Sequence, residues 1–111
     1  MSRRDERVRK YTAELESLGV RVDAAMLEEC VEACGPSIYN ADGELVASSD
    51  PAELETVRKS FVEGRLGISD VDRGNAAIDA VVERYGRSNR QKYRPVVYYL
   101  LKEHFAGPRP M

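Results

Sequence analysis

The sequence predicts a mainly α protein: a single compact domain of about five helices, with a short β-hairpin or an extended loop near residues 37–47. Three observations support this class. Residues 48–105 hold three helix-length segments, each with a start signal, an apolar face and a stop. Two more stretches with helical apolar spacing precede them. The 111 residues suit one domain with a real core and are too few for two.

The first predicted helix runs from Arg3 to Leu18, and Gly19 closes it. Its narrow apolar stripe consists of Val8, Tyr11, Leu15 and Leu18. We interpret the stripe as a docking face, because too few heptads are present to argue for a coiled coil. We assign residues 1–111 to one domain, and 1–21 could be a peripheral first helix within it.

The second predicted helix begins after a capping Asp23 and ends near Cys34, before Gly35. The pattern then changes, because the turn-forming run Asn40-Ala41-Asp42-Gly43 separates two short apolar stretches. This predicts a hairpin or an extended loop. An isolated hairpin is only marginally stable in water, so we expect this segment to lie on the helices.

The last three helices form the predicted core. The third starts at Asp50 and ends at Gly64, and the fourth starts at Ser69 and ends at Gly86. The fifth begins near Pro95 and is apolar over most of its circumference, so it should be the most buried.

Two details of the fifth helix follow from its sequence. Tyr98 and Tyr99 point about 100° apart on a helix, so we expect one in the core and the other over a groove or a partner surface. Gly107 and Pro108 stop the helix, and residues 107–111 should form a frayed tail.

Charge and composition argue against several classes of protein. A net charge of −2 argues against a general nucleic-acid coat protein. The amino terminus lacks the apolar stretch of a secretory signal, and the apolar run of the fifth helix is too short to span a membrane, which takes roughly 20 residues. We therefore expect a cytoplasmic protein.

The charged residues are unevenly distributed. From Asp23 to Glu63 there are ten acidic residues and two basic ones, whereas from Arg65 onward nine are basic and five acidic. These two regions could attract each other within one chain or between chains.

The basic stretch from Arg84 to Arg94 is the main candidate site. Its proposed anion-binding or partner-binding residues are Arg87, Arg90, Lys92, Tyr93 and Arg94. Arginines gathered where a helix begins could hold a phosphate or a carboxylate, and Tyr93 could stack on a base. The simpler interpretation is a solvated loop whose arginines pair with the acidic region.

No metal site, cofactor site or catalytic group is predicted. Cys30, Cys34 and His104 could be imagined as zinc ligands, but their spacing matches no familiar site. Buried reduced thiols explain the cysteines better, because four residues of helix separate them and do not favour a disulfide. His104 is also remote from any nucleophile in the sequence, so we expect no enzyme.

An ordered set of motifs resembles a known family. The set comprises residues 45–58, Leu66-Gly67-Ile68, Ala76-Ala77-Ile78-Asp79 and Tyr98-Tyr99-Leu100-Leu101. It is similar to a small bacterial family catalogued only as a domain of unknown function. The resemblance implies a compact, mainly helical cytosolic protein of bacteria, and supplies no activity, cofactor or catalytic residue.

Our functional expectation is a non-enzymatic interaction or accessory module that recognises a protein partner. The alternative is a small anion-binding or nucleic-acid-binding protein that uses the basic stretch 84–94.

Overall fold

The structure is a computed structural model that describes residues 2–106, and these residues form six α-helices. Their bounds are α1 Arg3–Ser17, α2 Ala24–Cys34, α3 Ala41–Glu44, α4 Pro51–Val57, α5 Val71–Tyr85 and α6 Arg94–Ala106. A 3-10 helix, Gly35–Tyr39, leads into α3, and a π-helical segment, Arg58–Glu63, continues α4. The predicted mainly helical class is confirmed. The predicted frayed tail lies outside the described residues.

The helices begin where the sequence supplies a capping side chain. The carboxylate of Asp23 accepts a hydrogen bond from the backbone N–H of Met26 at 3.2 Å, and Asp50 caps α4 in the same way. The fourth predicted helix starts one residue later than expected, because Asp70 rather than Ser69 is its cap. Gly64 and Gly86 follow the ends of their helices as predicted.

Helix α6 lies at the centre of the fold, between α2 on one side and α5 on the other. Every residue from Pro95 to Leu101 is buried, which confirms that this helix is the most enclosed. The expectation that one tyrosine of the pair would cover a surface is wrong: Tyr98 is 6% exposed and Tyr99 is fully buried. Because α6 is covered on more than one side, both rings find a core environment.

The two tyrosines have different neighbours. The Tyr98 ring stacks on Phe61 with ring centroids 4.0 Å apart. The Tyr99 hydroxyl accepts a hydrogen bond at 2.8 Å from the backbone N–H of Asp23, the residue that caps α2. The central helix is thus tied both to the π-helical segment and to the start of α2.

The hairpin alternative for 37–47 is not formed in the described residues. The Asn40 side chain accepts a hydrogen bond from the Asp42 N–H at 2.9 Å, which starts the short α3 instead of a turn between strands. Extended chain begins only at Leu45, which makes an isolated antiparallel bridge to Tyr93. The same residue types serve turns and helix caps, and tertiary contacts decided between the two.

Helix α1 packs against α2 and α6, and its stripe residues Tyr11 and Leu15 are fully buried. It also holds α3 in place. The carboxylate of Glu44 accepts a hydrogen bond from the Tyr11 hydroxyl at 2.6 Å and lies 2.8 Å from the Lys10 ammonium. None of the helices within residues 2–106 has the length and apolarity that crossing a membrane requires.

Candidate functional site

Arg94, the last residue of the predicted basic site, points into the fold. Its Nε donates to the carbonyl of Gly43 at 3.0 Å and its Nη2 to the carbonyl of Leu45 at 3.1 Å. Nη2 also forms an ion pair with the Glu53 carboxylate. The Arg94 side chain is only 14% exposed, so most of its guanidinium is already occupied by contacts within the chain.

Lys92 is also directed inward and is 1% exposed. Its ammonium group donates to the carbonyl of Arg87 at 3.3 Å and to the carbonyl of Asn89. Burial lowers the pKa of Lys92, and the nearby positive charge of Arg87 lowers it further. The residue therefore stabilises the loop between α5 and α6 by satisfying two of its carbonyls.

The remaining predicted residues differ in their surroundings. Arg87 is exposed and paired with Asp79 and Glu83, each at 2.5 Å. Arg90 is exposed and makes no ion pair with any residue in 2–106. Tyr93 is half-buried, and the Lys10 ammonium lies 4.4 Å from its ring centroid. The structure does not bring these cationic groups together in one pocket, and the anion site stays a prediction.

The surface also has a groove between α4 and α5. Its volume is about 450 Å³. It is lined by Pro51, Leu54, Glu55, Arg58, Val71, Asn75, Ile78, Asp79, Val82 and Arg87. The aliphatic members form an apolar floor, and the charged members stand around it. Val71, at one end, is 49% exposed. Such a groove can accept apolar side chains and orient them by the charges around it.

Sequence reasoning missed this groove, although its residues were visible as a pattern. Val71, Asn75, Ile78 and Val82 share one face of α5. This spacing is equally typical of a helix face that is packed wholly into a core. Ile78 and Val82 are indeed buried, but Val71 on the same face is exposed. Only the three-dimensional arrangement of α4, the π-helical segment and α5 reveals how much of the face is left open.

Arg58 is the charged residue that lies deepest in the groove wall, and its side chain is 10% exposed. It begins the π-helical segment that continues α4. Its aliphatic part packs on Gly74 at the end of the first turn of α5, where a Cβ would lie 3.0 Å from the Arg58 Cγ. Glycine in a helix interior is unfavourable by about 1 kcal/mol relative to alanine. Here it leaves room for the arginine.

The cysteines and the histidine do not form a cluster. Cys30 is buried and Cys34 is half-buried, and both are free thiols. Burial raises the pKa of each thiol to about 12, which leaves them protonated and unreactive at neutral pH. The His104 ring contacts Phe105 edge-on at 5.4 Å. Residues 2–106 contain no group of three or more potential ligands that could hold a metal ion.

Comparison with protein families identifies the family to which the chain belongs. The model of the family described as "Protein of unknown function (DUF2853)" matches residues 10–108, which is most of the chain. The chain therefore belongs to this family. No curated protein shows a significant sequence match to it.

Proposed function

We propose that this DUF2853 protein is a non-enzymatic interaction module of the cytoplasm that binds a protein partner in the groove between α4 and α5. The observation that carries the proposal is the apolar floor of that groove, which continues to the half-exposed Val71. Val71 is the one exposed large aliphatic residue in the described part of the chain, the others being buried or half-buried, so this surface is the best suited to further apolar contact.

The size and composition of the groove support a binding role. A volume of about 450 Å³ lies within the range of pockets that bind small ligands, and it leaves room for a few apolar side chains of a partner. An apolar floor supplies affinity when it is covered, and charges at its edge set the orientation of the partner. The groove is formed by two helices whose starts are fixed by Asp50 and Asp70, so its shape is largely set before a partner arrives.

The anion-binding alternative is supported less well by the geometry. Arg94 and Lys92 are committed to contacts inside the fold, and Arg87, just after α5, is paired with two carboxylates of that helix. A phosphate would have to displace these contacts. Of the predicted site residues, Arg90 is the one exposed cation without an ion pair to another residue of 2–106, and one exposed cation gives weak attraction in salt.

A pull-down with matched variants separates the two functions. The baits are the parent chain, Val71→Asp in the groove and Arg90→Ala in the loop, each used at low and high salt. We expect a protein that the parent and the Arg90 variant retain at both salt concentrations and that the Val71 variant loses. Binding that is lost only with Arg90, or that disappears in high salt, would support the anion-binding alternative and count against the groove.

A further inference from the structure

Arg58 is almost buried yet poorly paired. Its Nη1 lies 3.5 Å from the Glu63 carboxylate and its Nη2 lies 3.9 Å from that of Glu55. Arginine normally pairs with a carboxylate through hydrogen bonds of about 2.7–2.9 Å, often two at once. Glu55 is moreover closer to Lys59, at 3.0 Å. Neither glutamate therefore satisfies the guanidinium.

The donors of Arg58 that lack a partner are not sealed inside the fold. Among the described residues, no side-chain nitrogen or oxygen is sealed from solvent without a hydrogen-bond partner. The donors of Arg58 that lack a partner must therefore reach accessible space, and Arg58 lines the groove. The same groove holds apolar side chains such as Leu54 and Ile78 beside this cation.

The fold keeps the guanidinium in this position. A π-helical segment places Arg58, and segments of this kind occur frequently at functional sites. Gly74 provides the space in which the aliphatic part of the arginine lies. A cation that lines a groove with an apolar floor is complementary to an anion attached to an apolar group.

We propose that Arg58 recognises a carboxylate of the partner, so that the groove binds a polypeptide segment in which an acidic side chain lies beside apolar ones. This inference rests on the proposed function and adds the chemistry of the partner. The incoming carboxylate would take the place of the long contact to Glu63, which is half-exposed and free to turn toward solvent. The apolar neighbours would cover the groove floor.

The test uses NMR titration of the full chain with two capped tripeptides, one of leucine, glutamate and leucine and one with glutamine in place of glutamate. We expect the glutamate peptide to bind roughly tenfold more tightly, as one charge-assisted hydrogen bond implies, and to shift amides around 54–58 and 71–82. In Arg58→Gln the preference should fall below about twofold.

Two further variants complete the test. Glu63→Gln removes the competing carboxylate and should strengthen binding of the glutamate peptide, an effect that stays measurable if Arg58→Gln does not fold. Arg9→Gln is the matched control, because it makes the same change at an exposed position of α1 that does not line the groove. It should leave the preference for glutamate unchanged.

Four results would overturn the inference. Equal affinities for both peptides would mean that the groove takes apolar groups without recognising a carboxylate, and the proposed function would stand. Absence of binding, or no gain in Glu63→Gln, would also reject the role of Arg58. Tighter binding of hexanoate than of the glutamate peptide would indicate a small free acid as ligand instead of a polypeptide.

Discussion

The guanidinium of Arg94 forms an ion pair with the carboxylate of Glu53 and so joins the start of α6 to the first turn of α4. The same side chain donates to two carbonyls on either side of the end of α3. A residue that the sequence suggested for anion binding thus holds three helices together. The acidic and basic regions meet here within one chain.

Removal of the Arg94 side chain should therefore destabilise the fold. Arg94→Ala leaves the carbonyls of Gly43 and Leu45 and the Glu53 carboxylate without this partner, so we expect a loss of about 2–4 kcal/mol in the free energy of unfolding. Urea denaturation measures it. Arg90→Ala, a change at an exposed loop position, should stay within about 0.5 kcal/mol of the parent. Equal midpoints for the two variants would contradict the internal role of Arg94.

The contact between Arg58 and Gly74 predicts non-additive stability. Alanine in place of a helical glycine usually stabilises by about 1 kcal/mol, but the new Cβ would meet the Arg58 side chain at 3.0 Å. Gly74→Ala should therefore gain at least about 0.5 kcal/mol less in the parent than in an Arg58→Ala background. Denaturation of the four proteins of this double-mutant cycle measures the coupling, and an additive cycle would show that the contact has no energetic role.

The starts and ends of the helices could be predicted from the sequence because they depend on local chemistry. Asp23 and Asp50 cap the residues that directly follow them, and Gly64 and Gly86 follow helix ends. The segment 37–47 could not be settled in this way. Asn40 can start a turn or a helix, and the contacts of Arg94 with the carbonyls of residues 43 and 45 come from far along the chain.

The candidate sites were harder to predict because they depend on which residues meet. The run of cations before α6 was visible, but nothing local showed that Lys92 would cap carbonyls or that Glu53 would lie beside Arg94. The groove depends on the way α4 and the π-helical segment pack on α5. A π-helical segment has no sequence signal comparable to a helix cap, so the position of Arg58 could only be seen in the structure.

Gly43 should tolerate no larger residue. A Cβ at this position would lie 2.8 Å from the backbone carbonyl oxygen of Ser37, and the backbone of the 3-10 helix cannot turn away as a side chain can. We expect Gly43→Ala to cost about 1–3 kcal/mol of unfolding free energy, as overpacking does. Thermal denaturation checks this. Gly67→Ala is a useful comparison, because a Cβ there meets no atom within 4 Å and only its positive φ is unfavourable. A Gly43→Ala protein as stable as the parent would refute the close approach.

The buried thiols predict a loss of stability at alkaline pH. Unfolded cysteine has a pKa of about 8.5, whereas burial raises the pKa of Cys30 and Cys34 to about 12. Between these values the unfolded chain has lost protons that the folded protein keeps, so the free energy of unfolding falls as the pH rises. The stability that the two buried thiols contribute is fully present below about pH 8.5 and is lost by about pH 12.

This pH dependence can be measured by urea denaturation at pH 8, 9 and 10. Replacing both cysteines by alanine should flatten the decline. Lys92 has the opposite effect on stability. Burial lowers its pKa, so the folded protein loses this proton at a lower pH than the unfolded chain does, and this group makes the free energy of unfolding rise with pH. A double variant with the same slope as the parent would show that the thiols do not make this contribution.

The central claim is that the groove between α4 and α5 receives a protein partner, and site-specific photo-crosslinking in the protein's native cells tests it most directly. A benzophenone amino acid is placed at Val71 in the groove, and at the exposed Arg9 of α1 as the control. We predict a discrete protein adduct from position 71 that is absent from position 9 and is weakened by Arg58→Gln. The same adducts from both positions, or none from position 71, would contradict the claim.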